Sequence, residues 1–126
     1  MGEEVRDDLK YTKTHEWVKI QGNKAIIGIT DRAQTELTDI VFVELPDAGK
    51  DLTQGEELCV VESVKSVSEI YSPISGTITK VNKELEDAPE TINESPYDDG
   101  WIVEMEITQQ SELDNLLDAE GYKKSV

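Results

Sequence analysis

The feature that most limits the fold of this chain is the shortness of its apolar runs. Residues 77–81 (TITKV) and 101–107 (WIVEMEI) alternate between polar and apolar side chains, as half-buried β-strands do. Glycine, proline and asparagine lie between the runs, and these residues favour chain reversals. No run approaches the roughly 18 apolar residues of a membrane-spanning helix. The pattern predicts an all-β sandwich or barrel with short peripheral helices.

The same reading gives an order of elements along the chain. The predicted elements are strands 17–20 and 25–29 joined by a turn at 21–23, a helix over 31–38, strands 40–45, 58–64, 69–72 and 77–81, a surface loop over 82–100, a strand over 101–107, a short capped helix from Ser111 and a loose tail over 121–126. Because 126 residues is an ordinary size for one domain and no linker divides the chain, we expect a single domain over residues 1–126.

Charge restricts the partners that the chain can take. It has 12 Lys and Arg against 28 Asp and Glu, a formal net charge of −16. Nucleic acid and anionic membrane surfaces are therefore poor partners, since both attract basic proteins. A basic protein surface is a better one. The first ten residues lack the apolar segment of a secretory signal peptide. We expect a monomer in a reducing compartment.

The chain offers little for catalysis or metal binding. It has one cysteine, Cys59, and one histidine, His15. One cysteine excludes a disulfide within the chain, and the pair is too few for a Cys/His zinc site, so no metal is expected. Cys59 lies in an apolar run and is predicted to be a buried, inert thiol. His15 is predicted to be structural and packed near Trp17. Glycine-rich phosphate loops and nucleophile elbows are absent, so no catalytic residue is assigned and the chain is not expected to be an enzyme.

The most informative segment surrounds Lys65. It reads ESVK over 62–65 and SEIYSPISG over 68–76. Periodicity does not place a turn here, because the favoured Asn-Gly or Asp-Gly pair is missing. On composition alone Lys65 is an ordinary exposed lysine.

Together with four other blocks, this segment resembles the H protein of the glycine cleavage system. The segment matches the lipoyl-attachment motif of that family. The other blocks follow in family order: 11–18 (YTKTHEWV), 27–31 (IGITD) with Ala33 and Gln34, 39–46 (DIVFVELP), and 93–97 (NESPY) with Gly100 and Trp101. Thr38 departs from the pattern, since the family usually has glycine there, and this puts the local loop geometry in question.

The resemblance implies a fold, a cofactor and an attachment site. The fold is a flattened, lipoyl-domain-like barrel-sandwich hybrid. Lipoic acid is joined by an amide to the ε-amine of Lys65, at the tip of a β-hairpin. The attachment motif around this lysine comprises Glu62, Ser63, Val64 and Ser66. Acylation replaces the charge with a long arm that ends in a reactive disulfide.

The resemblance also implies partners. A pyridoxal-phosphate glycine decarboxylase loads the aminomethyl group of glycine onto the arm. A tetrahydrofolate-dependent aminomethyltransferase removes the methylene carbon and releases ammonia. A dihydrolipoyl dehydrogenase restores the disulfide with FAD and NAD. A lipoate ligase or a lipoyl/octanoyl transferase attaches the arm. The compartment is the cytoplasm for a bacterial protein and the mitochondrial matrix for a processed eukaryotic one.

A second site is implied for the loaded arm, in a cleft near Thr14, Glu16 and Glu69. An aminomethyl thioether carries an ammonium group, which carboxylates can hold. Glu16 and Glu69 can also be read as solvated surface acids, and one sequence does not show whether they converge.

Other carriers fit part of the pattern. A protein that relays lipoyl groups to other carriers, or that serves another redox pathway, would share the motif. Biotin carriers usually have Met on both sides of the lysine, whereas Val64 and Ser66 stand here. Lipoyl domains of 2-oxo-acid dehydrogenases usually have Asp before the lysine and lack the blocks at 11–18 and 101.

Overall fold

The computed structural model describes residues 4–125 and contains two antiparallel β-sheets. The strands are β1 (Lys10–Tyr11), β2 (Glu16–Gln21), β3 (Lys24–Ile29), β4 (Ile40–Glu44), β5 (Asp51–Leu52), β6 (Glu57–Ser63), β7 (Val67–Tyr71), β8 (Gly76–Val81) and β9 (Val103–Ile107). The helices are α1 (Asp31–Leu37), α2 (Glu84–Asp87), α3 (Thr91–Glu94) and α4 (Ala119–Ser125), with a 3₁₀ helix at Gln110–Asn115.

The larger sheet has six strands in the order β1-β2-β3-β9-β8-β5, and the smaller has three in the order β4-β6-β7. One apolar cluster contains buried residues of both sheets, including Ile27 and Met105 from the larger and Val61 and Ile70 from the smaller. The prediction of a mainly β sandwich with short helices is confirmed, and the described strands form two sheets rather than one closed barrel.

Strands form where the sequence alternates most regularly between polar and apolar residues. In β9, Val103, Met105 and Ile107 are buried, while Glu104 and Glu106 lie on the opposite face. The structure confirms the hairpin of β2 and β3, the helix α1 and the strands β4, β6, β7 and β8. Each of these elements begins and ends within two residues of its predicted position. No helix among residues 4–125 is both long enough and apolar enough to cross a bilayer.

The surface loop predicted over 82–100 is wrong in part. This segment contains α2 and α3, each a single turn that buries one apolar side chain, Leu85 and Ile92 respectively. Its first residue, Asn82, is buried and donates hydrogen bonds to the carbonyls of Asp99 and Trp101. Polar composition concealed these anchors, because one buried residue per turn gives no periodic signal.

Two predictions near the C-terminal end are also wrong. The predicted capped helix is a 3₁₀ helix that begins one residue before Ser111, and its N-cap residue, Gln109, makes no side-chain capping hydrogen bond. Within this helix the Glu112 carboxylate accepts from the backbone N–H and hydroxyl of Ser75. The predicted loose tail is helix α4, in which Tyr122 is buried and stacked on Tyr11 with ring centroids 4.6 Å apart. Val126, the last residue of that tail, lies outside the described part of the chain.

Candidate functional site

Lys65 lies in the tight connection between β6 and β7, at the tip of a hairpin. Ser63 builds the turn: its hydroxyl oxygen accepts from the backbone N–H of Lys65 at 3.1 Å and of Ser66 at 3.0 Å. The N–H of Ser63 donates to the Ser66 carbonyl at 2.8 Å, and the N–H of Val64 donates to the Asp39 carbonyl at 2.9 Å. A serine hydroxyl therefore does what Asn-Gly does in other hairpins. The backbone bond from Val64 to Asp39 ties the tip to the residue before β4.

The Lys65 amine is available at this tip. The residue is exposed, and Nζ donates one hydrogen bond, 3.2 Å long, to the carbonyl of Glu36 at the end of α1. Among the described residues Nζ forms no ion pair. A single bond to an exposed carbonyl contributes little, so a reagent or an enzyme can reach the amine at small energetic cost.

A cleft of about 250 Å³ begins at Lys65. One wall comes from the hairpin and the other from α1 and from the loop before β2. It is lined by Lys65, Ser66, Ser68, Glu69, Ile70, Thr14, His15, Ala33, Glu36 and Leu37. Two of the three residues predicted to hold the loaded arm, Thr14 and Glu69, therefore share one cleft with the lysine.

Glu16, the third of these residues, is buried, which excludes its alternative as a solvated surface acid. Its Oε1 accepts from the hydroxyls of Thr12 and Thr14, both at 2.5 Å. Its Oε2 accepts from the backbone N–H of Tyr71 at 3.3 Å. Burial nevertheless raises the pKa of the Glu16 carboxyl, because the cost of desolvating its charge exceeds what these donors return.

A second cavity, of about 490 Å³, lies beside Glu16. Its lining is Thr12, Lys13, Thr14, Glu16, Gln54, Gly55, Tyr71, Ser72, Pro73, Asn115, Leu116 and Leu117. Thr14 borders both cavities, since it also lines the cleft that begins at Lys65.

Glu69 remains on the surface, where it meets a second acid. The Tyr71 hydroxyl donates to its Oε1 at 3.3 Å. The carboxyl group of Glu57 is hydrogen-bonded to that of Glu69, and this contact raises the pKa of Glu57. Tyr71 therefore links the two acids of the predicted cleft, with its backbone bonded to Glu16 and its hydroxyl to Glu69.

The contacts of His15 and Cys59 indicate structural rather than chemical roles. His15 Nδ1 lies 2.8 Å from the hydroxyl oxygen of Tyr122, which in turn lies 2.8 Å from the Thr30 hydroxyl oxygen. The bonding partner of His15 is thus on α4 rather than Trp17. Cys59 is buried as predicted, and burial raises the pKa of its thiol to about 12, so it is protonated at neutral pH. Within residues 4–125, no group of three or more His, Cys, Asp or Glu side chains is arranged to hold a metal ion.

Sequence reasoning missed three members of the site, namely Thr12, Gln54 and Tyr71. Thr12 is two residues before Thr14 in the same block, and that spacing was the available signal. Tyr71 lies in the attachment segment, but its contact with Glu16 spans 55 residues. Gln54 carries no local signal.

Comparisons with known proteins agree over nearly the full chain. The family model "Glycine cleavage H-protein" matches residues 9–126. The glycine cleavage system H protein of Staphylococcus haemolyticus is 52% identical over 122 residues, which cover 97% of each chain. The probable glycine cleavage system H protein of Haloarcula marismortui is 51% identical over 126 residues, covering 100% of this chain and 99% of the relative.

A solved structure agrees as well. The crystal structure of a glycine cleavage system H protein from Mycobacterium marinum superposes with a TM-score of 0.88 at 37% identity, covering 95% of this chain and 97% of that one. The hairpin, the cleft and these likenesses lead to one conclusion: the chain belongs to the glycine cleavage H-protein family, the lipoyl carriers of the glycine cleavage system.

Proposed function

We propose that Lys65 carries lipoate through an amide at Nζ, and that residues 1–126 act as one monomeric, cytoplasmic carrier domain without catalytic residues of its own. The observation that carries the proposal is the position of the Lys65 amine, exposed at a hairpin tip and lining the mouth of a cleft. The surroundings fit an amide-linked arm, because the tip is held by Ser63 while the side chain beyond it is free to extend.

The chain's own residues position the arm and do not react. Bound lipoate supplies a disulfide that accepts the aminomethyl group of glycine and later gives it up. Cys59 is buried and protonated, so it does not compete as a thiolate for that disulfide. Tethering at Lys65 keeps the reactive end at high local concentration near each enzyme that docks.

Thr14, Glu16 and Glu69 are the residues that would hold an ammonium group: Thr14 and Glu69 line the cleft that begins at Lys65, and Glu16 lines the second cavity, which Thr14 also borders. Glu16 is a buried carboxylate with three hydrogen-bond donors and a raised pKa, so an incoming cation would supply the missing counter-charge. Glu69 stands at the exposed side of the same cleft as Lys65. A group held against the buried Glu16 carboxylate would be shielded from water, which would otherwise hydrolyse a thioether that carries an amine.

The partners of this carrier are the glycine decarboxylase, the aminomethyltransferase, the dihydrolipoyl dehydrogenase and the enzyme that acylates Lys65. Transfer from decarboxylase to carrier tests the proposal. After treatment with lipoate and a lipoate–protein ligase, wild type should gain label from methylene-labelled glycine in the presence of the decarboxylase. Lys65→Arg should gain none, because arginine cannot be acylated, whereas Lys83→Arg, an exposed control, should behave as wild type.

Equal labelling of wild type and Lys65→Arg would contradict the proposal, since another lysine would then carry the arm. The cleft is tested separately by the release of formaldehyde from loaded, isolated protein. Replacing Glu16 and Glu69 together with Gln should speed this release several-fold, and Glu86→Gln, an exposed control that lines neither cavity, should leave it unchanged. Identical rates in all three proteins would remove the two acids from the site.

A further inference from the structure

The large apolar side chains that are exposed among the described residues all lie around Lys65. They are Val41, Phe42, Val64 and Val67, with 53%, 48%, 67% and 65% of their surface exposed. We call these four the apolar collar. Val64 precedes Lys65 and Val67 follows it by two residues, while Val41 and Phe42 belong to β4. Single exposed apolar residues need no explanation, but a cluster around one amine points to an interaction.

Sheet register brings the collar together. Phe42 pairs with Glu62 on β6, and Glu62 pairs with Val67 on β7, so these three side chains form one row on the outer face of the smaller sheet. The register shifts between Ile40 and Phe42. In a regular strand one of two adjacent residues faces the core, but this irregularity leaves both Val41 and Phe42 in solvent.

Carboxylates border the collar on the same face. The next row on this outer face is Glu44, Val60 and Glu69, two residues along each strand. Glu44, Glu62 and Glu69 form no ion pair with any other described residue. The collar is thus an apolar area edged by uncompensated negative charge, and a complementary surface would be an apolar recess edged by Lys and Arg.

We propose that the apolar collar is the docking surface for the enzyme that acylates Lys65, and that this enzyme presents an apolar recess bordered by basic residues. The inference rests on the proposed attachment of lipoate to Lys65. The distance between the reacting atoms and the hairpin distinguishes the acylating enzyme from the other partners. Enzymes that act on the far end of a long arm can stand away from the hairpin, whereas the acylating enzyme must bring its reacting carbonyl to Nζ itself. Val64, a member of the collar, is the residue next to Lys65 in the chain.

Steady-state kinetics with a lipoate–protein ligase, lipoate and ATP tests the proposal, with the unmodified protein as the varied substrate. Phe42→Ser with Val67→Ser should raise KM for the protein about tenfold, with kcat within about twofold, because docking is lost and the chemistry at Nζ is not. Phe42→Leu alone, which keeps the apolar character of the side chain, should leave KM near the wild-type value. Val64→Ser repeats the test at a side chain that packs little, in case the double variant does not fold.

Charge-reversing variants test the basic border separately. Glu44→Lys should raise KM about threefold or more, whereas Glu106→Lys, an equal charge change at an exposed position on β9 of the larger sheet, should leave it unchanged. Added salt should raise KM for wild type. Acetic anhydride should acetylate Nζ at equal rates in all variants, which shows that the amine itself remains accessible.

The outcomes separate the docking proposal from the function it rests on. If the ligase modifies Lys65 but KM is the same for wild type, the double variant and Val64→Ser, the docking proposal is overturned and the attachment stands. An equal rise in KM for Glu44→Lys and Glu106→Lys would overturn the basic border. If Lys65 is not the residue modified in wild type, as shown by unchanged mass gain in Lys65→Arg, the proposed function fails first and the docking proposal with it.

Discussion

At the scale of single residues, burial governs the chemistry of Glu16. Its carboxyl has a raised pKa, so between the ordinary value of 4.5 and the raised one the folded protein binds more protons than the unfolded chain. Stability contributed by this group therefore falls as pH rises through that window. Glu16→Gln abolishes the titration.

We expect the free energy of unfolding of Glu16→Gln, measured relative to wild type, to increase as pH rises through the window. Urea denaturation of both proteins from about pH 4 to about pH 8 measures the difference. A difference that stays constant with pH would show that the Glu16 carboxyl titrates alike in folded and unfolded protein.

Thr38 is one of two non-glycine residues with a positive φ in the described part of the chain, and the other is His15. Thr38 ends α1 with φ 64° and ψ −147°, a combination that glycine adopts readily and a β-branched residue does not. Its hydroxyl donates to the Leu37 carbonyl, which compensates in part. The family's usual glycine at this position thus has a structural reason, and the loop keeps a glycine-like geometry despite the threonine.

Thr38→Gly should raise the free energy of unfolding by about 1 kcal/mol, because relief of about 1–3 kcal/mol of strain exceeds the added entropy of the unfolded chain. Thr35→Gly, inside the same helix and exposed, should lower it by about 0.3–0.5 kcal/mol, the difference in helix propensity between threonine and glycine. Chemical denaturation of the two variants decides, and a loss of stability in both would contradict the assignment of strain to Thr38.

Single residues of the site differ in how far the sequence could predict them. Lys65 was identified by family resemblance and not by periodicity, since Ser63 forms the turn through a hydroxyl contact that no spacing rule anticipates. The burial of Glu16 was not predictable, because its donors come from the loop before β2 and from the end of β7.

At the scale of elements, α4 is fixed by a contact between the two ends of the chain. Tyr122 stacks on Tyr11, and its hydroxyl lies within hydrogen-bond distance of His15 and Thr30. Leu117, just before the helix, bridges to Tyr11 through the backbone. This arrangement holds the loop that carries Thr14, which borders both cavities.

Tyr122→Phe should keep the stacking and lose both hydroxyl contacts. We expect a loss of about 1–3 kcal/mol in the free energy of unfolding, because the buried Thr30 and the half-buried His15 each lose a partner. Lys123→Ala, the exposed neighbour, should change it by less than about 0.5 kcal/mol. Guanidinium denaturation measures both, and equal effects of the two substitutions would mean that the hydroxyl network does not anchor α4.

The elements also show why prediction succeeded for strands and failed for the last helix. Strands such as β9 can be predicted from the alternation of polar and apolar residues, because each strand pairs along its length and buries one face. Helix α4 has seven residues and buries two of them, so its stability comes from Tyr11, more than a hundred positions away. Local patterns hold no information about such a partner.

At the scale of the whole molecule, unbalanced charge is the dominant electrostatic feature. The formal net charge is −16, and the ion pairs among residues 4–125 engage few of the 28 acids. Self-repulsion therefore opposes the compact state.

The thermal midpoint should accordingly rise when NaCl is increased from about 0.01 M to about 0.5 M, because the Debye length shortens from about 30 Å to a few ångströms. A neutral osmolyte series controls for effects unrelated to charge. A midpoint that falls with salt, with the osmolyte control rising as usual, would contradict net repulsion in the folded protein.

The measurement that tests the central claim most directly is a map of the modified lysine. The chain has ten lysines, and after complete reaction with lipoate and a lipoate–protein ligase the protein is weighed intact, digested and sequenced by fragmentation. The account predicts one lipoyl group per chain, carried by the peptide that contains Lys65. Modification of any other lysine in its place, or no modification of a folded protein, would contradict it.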